Sequence, residues 1–89
     1  MKPVSFSSHA RTQMELRGAE DVEVISAINS GTRETAKRGK LQCRHCFNFN
    51  RISPVNQRFY KYKTVEAVFV EEGDRIVVVT VKVYYSNKE

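Results

Sequence analysis

The chain has 89 residues, with 15 Lys and Arg against 10 Asp and Glu, a net charge of +5 and a pI near 9.5. That length supports one small domain spanning 1–89, and 40% hydrophobic residues make it too apolar for a disordered segment. No apolar run approaches the ~20 residues that cross a bilayer, the opening through Phe6 lacks the ~7–15-residue apolar stretch of a signal peptide, and Cys43 and Cys46 alone make no disulfide scaffold; a cytoplasmic domain without a membrane segment is expected.

The first element expected is a helix from Phe6 to Arg17. Ser7 or Ser8 can cap its first turn by accepting unpaired backbone N–H groups, and Gly18 can stop it in the left-handed conformation. A second helix is expected from Glu20 to Asn29. Glu20, Asp21 and Glu23 suit its positive end, Gly31 terminates it, and Val22, Ile25 and Ile28, widened by Val24 and Ala27, form its apolar stripe.

Beyond Gly31 the period becomes that of strands. Thr32 to Arg38 is a weak, polar edge candidate. In Leu41 to Ile52, Leu41, Cys43, His45, Phe47 and Phe49 share one side, and Gln42, Arg44, Cys46, Asn48 and Asn50 the other. Ser53 to Gln57 breaks the pattern. Phe59 to Glu71 and Arg75 to Tyr85 are aromatic and β-branched strands joined by a tight turn at Glu72-Gly73-Asp74. In the last strand Val77, Val79, Val81, Val83 and Tyr85 form an apolar face, and the opposite face becomes polar at Thr80, Lys82 and Tyr84. That asymmetry fits a sheet covered by helices on one side only. The expected fold is α+β, with two N-terminal helices on one face of a three- to four-stranded antiparallel sheet.

Charge is distributed unevenly. Between Arg33 and Lys63 stand nine cationic side chains and one acid, Glu34. Such a segment suits a polyanion, most simply RNA or DNA; a solvated sheet face is the alternative. Arg44, Lys61, Lys63, Thr80, Lys82 and Tyr84 are the candidate nucleic-acid contacts. Tyr60 and Tyr62 alternate with Lys61 and Lys63 and so fall on the opposite face from them, which separates stacking from phosphate pairing.

Two groups on the first helix stand out. At about 100° per residue, Gln13 and Arg17 fall within roughly 80° of His9, beside the apolar Ala10, Met14 and Leu16 rather than opposite them. An imidazole and a guanidinium placed near a core need partners. His9 can act as general acid or base near neutral pH, and Arg17 offers a planar fork of donors for a phosphate. The ordinary alternative is a half-exposed histidine and an arginine whose stem packs while its head reaches water.

Cys43-Arg44-His45-Cys46 supplies at most three of the four ligands a zinc site needs. Positions three apart on a strand also point to opposite faces, and no helix follows to support a redox pair. Neither a metal nor another cofactor is expected. Nucleotide-binding, nucleophile-elbow and zincin motifs are absent from the sequence.

Ser8-His9-Ala10-Arg11, Met14, Arg17-Gly18, the segment Lys63 to Val70, Glu72 and Val78-Val79-Thr80-Val81 resemble a small bacterial family, the domain of unknown function numbered 4258. The resemblance covers nearly the whole chain, though from Thr32 to Phe59 it is one of pattern alone. That family is similar in expected fold to barnase-, EndoU-, colicin- and RelE-like ribonucleases, many of them toxins of toxin–antitoxin pairs. The resemblance implies a metal-independent ribonuclease, with His9 as general acid or base, Arg17 as phosphate ligand, and an antitoxin protein as partner. A non-catalytic nucleic-acid-binding or protein-interaction module of the same fold is the alternative.

Overall fold

The computed structural model describes residues 2–88. Along the chain run β1 (Val4–Phe6), α1 (Ser8–Arg17), α2 (Asp21–Ser30), β2 (Glu34–Thr35), a 3-10 turn (Lys37–Gly39), β3 (Leu41–Ile52), β4 (Phe59–Glu72) and β5 (Arg75–Ser86). Among the described residues the strands form one sheet, ordered β1-β5-β4-β3-β2. The β3–β4–β5 meander is antiparallel, whereas β1 pairs with β5 in parallel. The fold is therefore α+β with both helices on one face, as expected, but the sheet is mixed and has five strands. The extra strand is the one at the N-terminus. Phe6 ends β1 rather than opening α1, because three residues carry no legible period and their pairing partner lies some seventy positions away at Ile76–Val78.

Local chemistry sets the helix limits. Ser7 is the cap of α1: its Oγ accepts from the Ala10 N–H at 3.1 Å. Gly18 ends the helix at φ 78°, where its N–H bonds to the Met14 carbonyl. A Cβ at Gly18 would lie 2.8 Å from Pro54 Cγ and 2.9 Å from the Tyr85 hydroxyl, so glycine is also what allows the helix end to sit against the sheet. In α2, Glu23 Oε1 accepts the Glu20 N–H at 2.9 Å and closes the first turn.

Ala10 and Met14 of α1 and Val24 and Ile28 of α2 pack on Cys43, Val65, Ala67, Phe69, Ile76, Val78 and Val81. Of the expected stripe of α2, Val24, Ala27 and Ile28 are buried and Ile25 is half-buried, whereas Val22 is 67% exposed. Leu16 is likewise 72% exposed and packs on nothing in the core.

A β-bulge changes which side of β5 is buried. Phe69 pairs with Val78 and Val68 with Thr80, leaving Val79 as the extra residue. The core-facing residues run Ile76, Val78, then Val81 and Val83. The single apolar face expected from Val77 to Tyr85 is therefore broken at Val79. Sequence alternation alone does not reveal an inserted residue, since the run from Ile76 to Val79 is apolar on both parities.

Candidate nucleic-acid interface

The side of the sheet away from the helices is ordered in cross-strand rows. Gln42, Val68 and Thr80 stand in one row, Arg44, Glu66 and Lys82 in the next, then Cys46, Thr64 and Tyr84, and last Asn48, Tyr62 and Ser86. The Val79 bulge brings Thr80, Lys82 and Tyr84 onto this face in step with β3 and β4. Without it they would fall on the same side as Ile76 and Val78, under the helices.

At the first row the face opens into a hollow of about 620 Å³ between β5 and the 3-10 turn. Lys37, Lys40 and Lys82 line it, with the polar groups of Thr35, Gln42 and Thr80 and the side chain of Val68. Among the described residues no acid lines this hollow. Three cationic residues thus border one concavity, Lys82 with Glu66 Oε1 3.9 Å from its Nζ, and the positive potential there favours an anion.

The adjoining row holds a buried carboxylate. Glu66 is 4% exposed and its Oε2 accepts from Arg44 Nε at 3.1 Å and Nη2 at 2.5 Å, with Lys82 Nζ 3.9 Å from Oε1. The hydrogen bond to Glu66, followed by its charge, holds the Arg44 guanidinium above its ordinary pKa, and Glu34 at the margin adds to this. Arg44 Cζ also lies 5.9 Å from the ring centre of Tyr84, which is 47% exposed. Arg44, Thr80, Lys82 and Tyr84 are therefore brought together as one surface.

The remaining sequence candidates lie elsewhere. Lys63 is a correction: its side chain is 4% exposed, under the helices, with Nζ 2.5 Å from the Gly18 carbonyl and 2.7 Å from Glu23 Oε1. Its charge caps the end of α1, whose last carbonyls carry the negative end of the helix dipole, and is closed to a ligand. Lys61 is exposed near the far end of β4, outside the rows, where its N–H bonds to Asn87 Oδ1. His9 is exposed on α1 and lines neither recess.

Arg17 and Gln13 have a partner that the sequence did not disclose. Val81 N–H donates to Gln13 Oε1 at 2.8 Å, and the Val81 carbonyl accepts from Arg17 Nη1 at 2.7 Å. The strand β1 covers β5 only from Ile76 to Val78, so past it α1 supplies the missing edge partners through side chains. The inward tilt of Gln13 and Arg17 is explained by this contact. Arg17 still reaches the rim of the open face, where it lines a recess of about 290 Å³ with Lys82, Val83 and Tyr84.

Lys37, Lys40 and Glu66 were not singled out from the sequence. Lys37 and Lys40 lie inside the basic segment, and their spacing across a tight turn, with Arg38 at φ 59° and Gly39 at φ 73°, is what folds both toward one hollow. The two thiols behave as strand geometry requires: Cys43 is buried opposite Ala67, and Cys46 sits opposite Thr64 on the other face. Comparison with family models, curated proteins and solved structures gave no match.

Proposed function

We propose that this protein binds single-stranded RNA across the open face of its sheet. The observation that carries the reading is that Lys37, Lys40 and Lys82 line one hollow with no acid among its described lining residues, continuous with Arg44 and the exposed ring of Tyr84. Ammonium groups pair with backbone phosphates and release counterions, which supplies sequence-independent affinity. Tyr84, and Tyr62 in the last row, offer ring faces on which unstacked bases can lie, a feature that suits a single strand better than a closed duplex. The family that the sequence resembles, with an expected fold similar to that of ribonucleases, agrees with an RNA ligand.

Cleavage of that RNA without a metal is the second reading, favoured by the position of Arg17 at the recess beside Lys82 and Tyr84. On this reading the guanidinium holds the scissile phosphate. His9, the expected acid or base, stands two turns away on α1 outside the recess, so it takes part only if the RNA strand runs along the helix toward it.

Fluorescence anisotropy with a labelled oligouridine across a salt series tests the binding reading. Lys37→Ala, Lys40→Ala and Lys82→Ala are each expected to weaken binding and reduce the magnitude of the salt slope by about 0.7. A triple variant that binds like the parent would end the proposal. Incubation of the same RNA with the His9→Ala variant tests cleavage: loss of cutting with unchanged melting supports it, and equal cutting removes His9 from the chemistry.

A further inference from the structure

The edge of β5 is covered in two different ways and is then left bare toward its C-terminal end. From Ile76 to Val78 it pairs with β1, and the Val78 carbonyl also accepts the Ser7 N–H at 2.9 Å. At Val81 both backbone groups are taken by Gln13 and Arg17. From Val83 onward, among the described residues, no strand, helix or side chain pairs with this edge.

The direction of the backbone groups follows from the ladder. The β4–β5 register runs without interruption from Thr80 to Ser86, and Val81 points its N–H and C=O away from β4. Alternation then directs the N–H and C=O of Val83 and of Tyr85 the same way. Four backbone groups are left along a short bare edge, beside the recess that Arg17, Lys82, Val83 and Tyr84 line. The usual protections of an edge end before this point, since the bulge lies at Val79 and the covering strand stops at Phe6.

We propose that Val83–Ser86 receives an extended acidic segment of a partner protein, added as a sixth strand beside β5. An added strand hydrogen-bonds through its main chain and presents alternate side chains to the two faces. Here the flanking charges are Arg17, arriving from the helix side, and Lys82 on the open face. Carboxylates at alternating positions of the incoming segment share one face and, turned to the open side, meet Lys82, with the apolar positions on the helix side. A second copy of this chain is the poorer occupant, because β5-to-β5 pairing brings Arg17 and Lys82 toward their own counterparts and like charges across a pair of strands repel. This inference does not depend on RNA binding, although Lys82 lines both the lysine hollow and the recess at this edge.

Amide exchange measured by NMR on the full chain tests it, with an alternating valine–glutamate hexapeptide as probe and an alternating valine–lysine hexapeptide as control. At ten times its dissociation constant the glutamate peptide is expected to slow exchange at Val83 and Tyr85 by about tenfold, with little effect from the lysine peptide. Val83→Pro removes one edge donor at a position where proline is tolerated in an edge strand, and its folding is checked by circular dichroism. Loss of at least about tenfold in peptide affinity with retained fold supports the proposal. Lys82→Glu, which keeps the edge donors, is expected to reverse the preference between the two peptides. Equal effects of both peptides, no protection at Val83 and Tyr85, or protection that rises with protein concentration in the absence of peptide would each overturn it. Oligouridine binding, followed in parallel on the parent and on Val83→Pro, reports on the hollow and can fail or succeed separately, whereas Lys82→Glu alters a hollow lysine and is expected to weaken it.

Discussion

The ammonium of Lys63 lies 2.7 Å from Glu23 Oε1, and the pair joins the middle of the sheet to the first turn of α2. The same carboxylate oxygen accepts the Glu20 N–H, and the same ammonium reaches the Gly18 carbonyl at the end of α1. Both ends of the α1–α2 connection thus depend on one buried ion pair. Phe49 and Tyr85 flank the ammonium, with ring centres 5.5 and 5.9 Å away.

Removing one partner leaves the other charge uncompensated under the helices. Lys63→Ala is expected to destabilise the fold by about 3–5 kcal/mol, measured by urea denaturation. Lys61→Ala, at an exposed position, is expected to stay within about 0.5 kcal/mol of the parent. Similar losses for both would show that Lys63 is not the buried cap described.

Gln13 and Arg17 stand in for a strand at Val81, so their removal is expected to be felt at one peptide unit. Gln13→Ala leaves the Val81 N–H without its acceptor. Global stability is expected to fall by about 0.5–1.5 kcal/mol, and Val81 amide exchange to rise by more than the global loss explains. Unchanged exchange at Val81 would mean that the edge is covered by something else.

The phenol of Tyr85 donates to the Arg17 carbonyl at 2.8 Å, and burial raises its pKa above the ordinary tyrosine value. The neutral form is favoured in the folded state. Its contribution to stability is therefore complete below the unfolded value of about 10 and is lost as pH rises through the folded value. Tyrosinate absorbance should show one late-titrating group, absent in Tyr85→Phe. Loss of a different step in that variant would contradict the assignment.

The two cysteines offer a direct check on the faces of β3. Cys46 is half-buried on the open face and Cys43 is buried beneath the helices, where desolvation raises the pKa of its thiol. Iodoacetamide is expected to alkylate Cys46 in the native protein and Cys43 only after unfolding, because the thiolate is the reactive form. Bound oligouridine should slow the reaction at Cys46, which shares a row with Tyr84. Peptide mapping by mass spectrometry distinguishes the two thiols, and prior labelling of Cys43 would reverse the facial assignment.

Much of the architecture is written in local pattern. The alternation in Leu41–Ile52, the β-branched run of Arg75–Tyr85 and the glycines after each helix suffice to place two helices and three long strands. Alternation also puts Thr80, Lys82 and Tyr84 together on one side of β5 and Arg44 on the polar side of β3, but the same reading counts Lys63, which lies under the helices, among the contacts.

What required the tertiary structure was whatever depends on partners far away in the chain. β1 exists because Ile76–Val78 has a free edge, and three residues carry no period by which to announce a strand. The Val79 bulge decides which residues of β5 are buried, yet an extra residue in an apolar run leaves the composition unchanged. Lys63 and Arg17 look alike as charges in the sequence. One is enclosed by Glu23 and the Gly18 carbonyl, and the other bonds to Val81 while remaining at the rim of a recess. A side chain's type fixes what it can bond to, but only the packed chain determines whether that bond is made with the protein itself or left for a ligand.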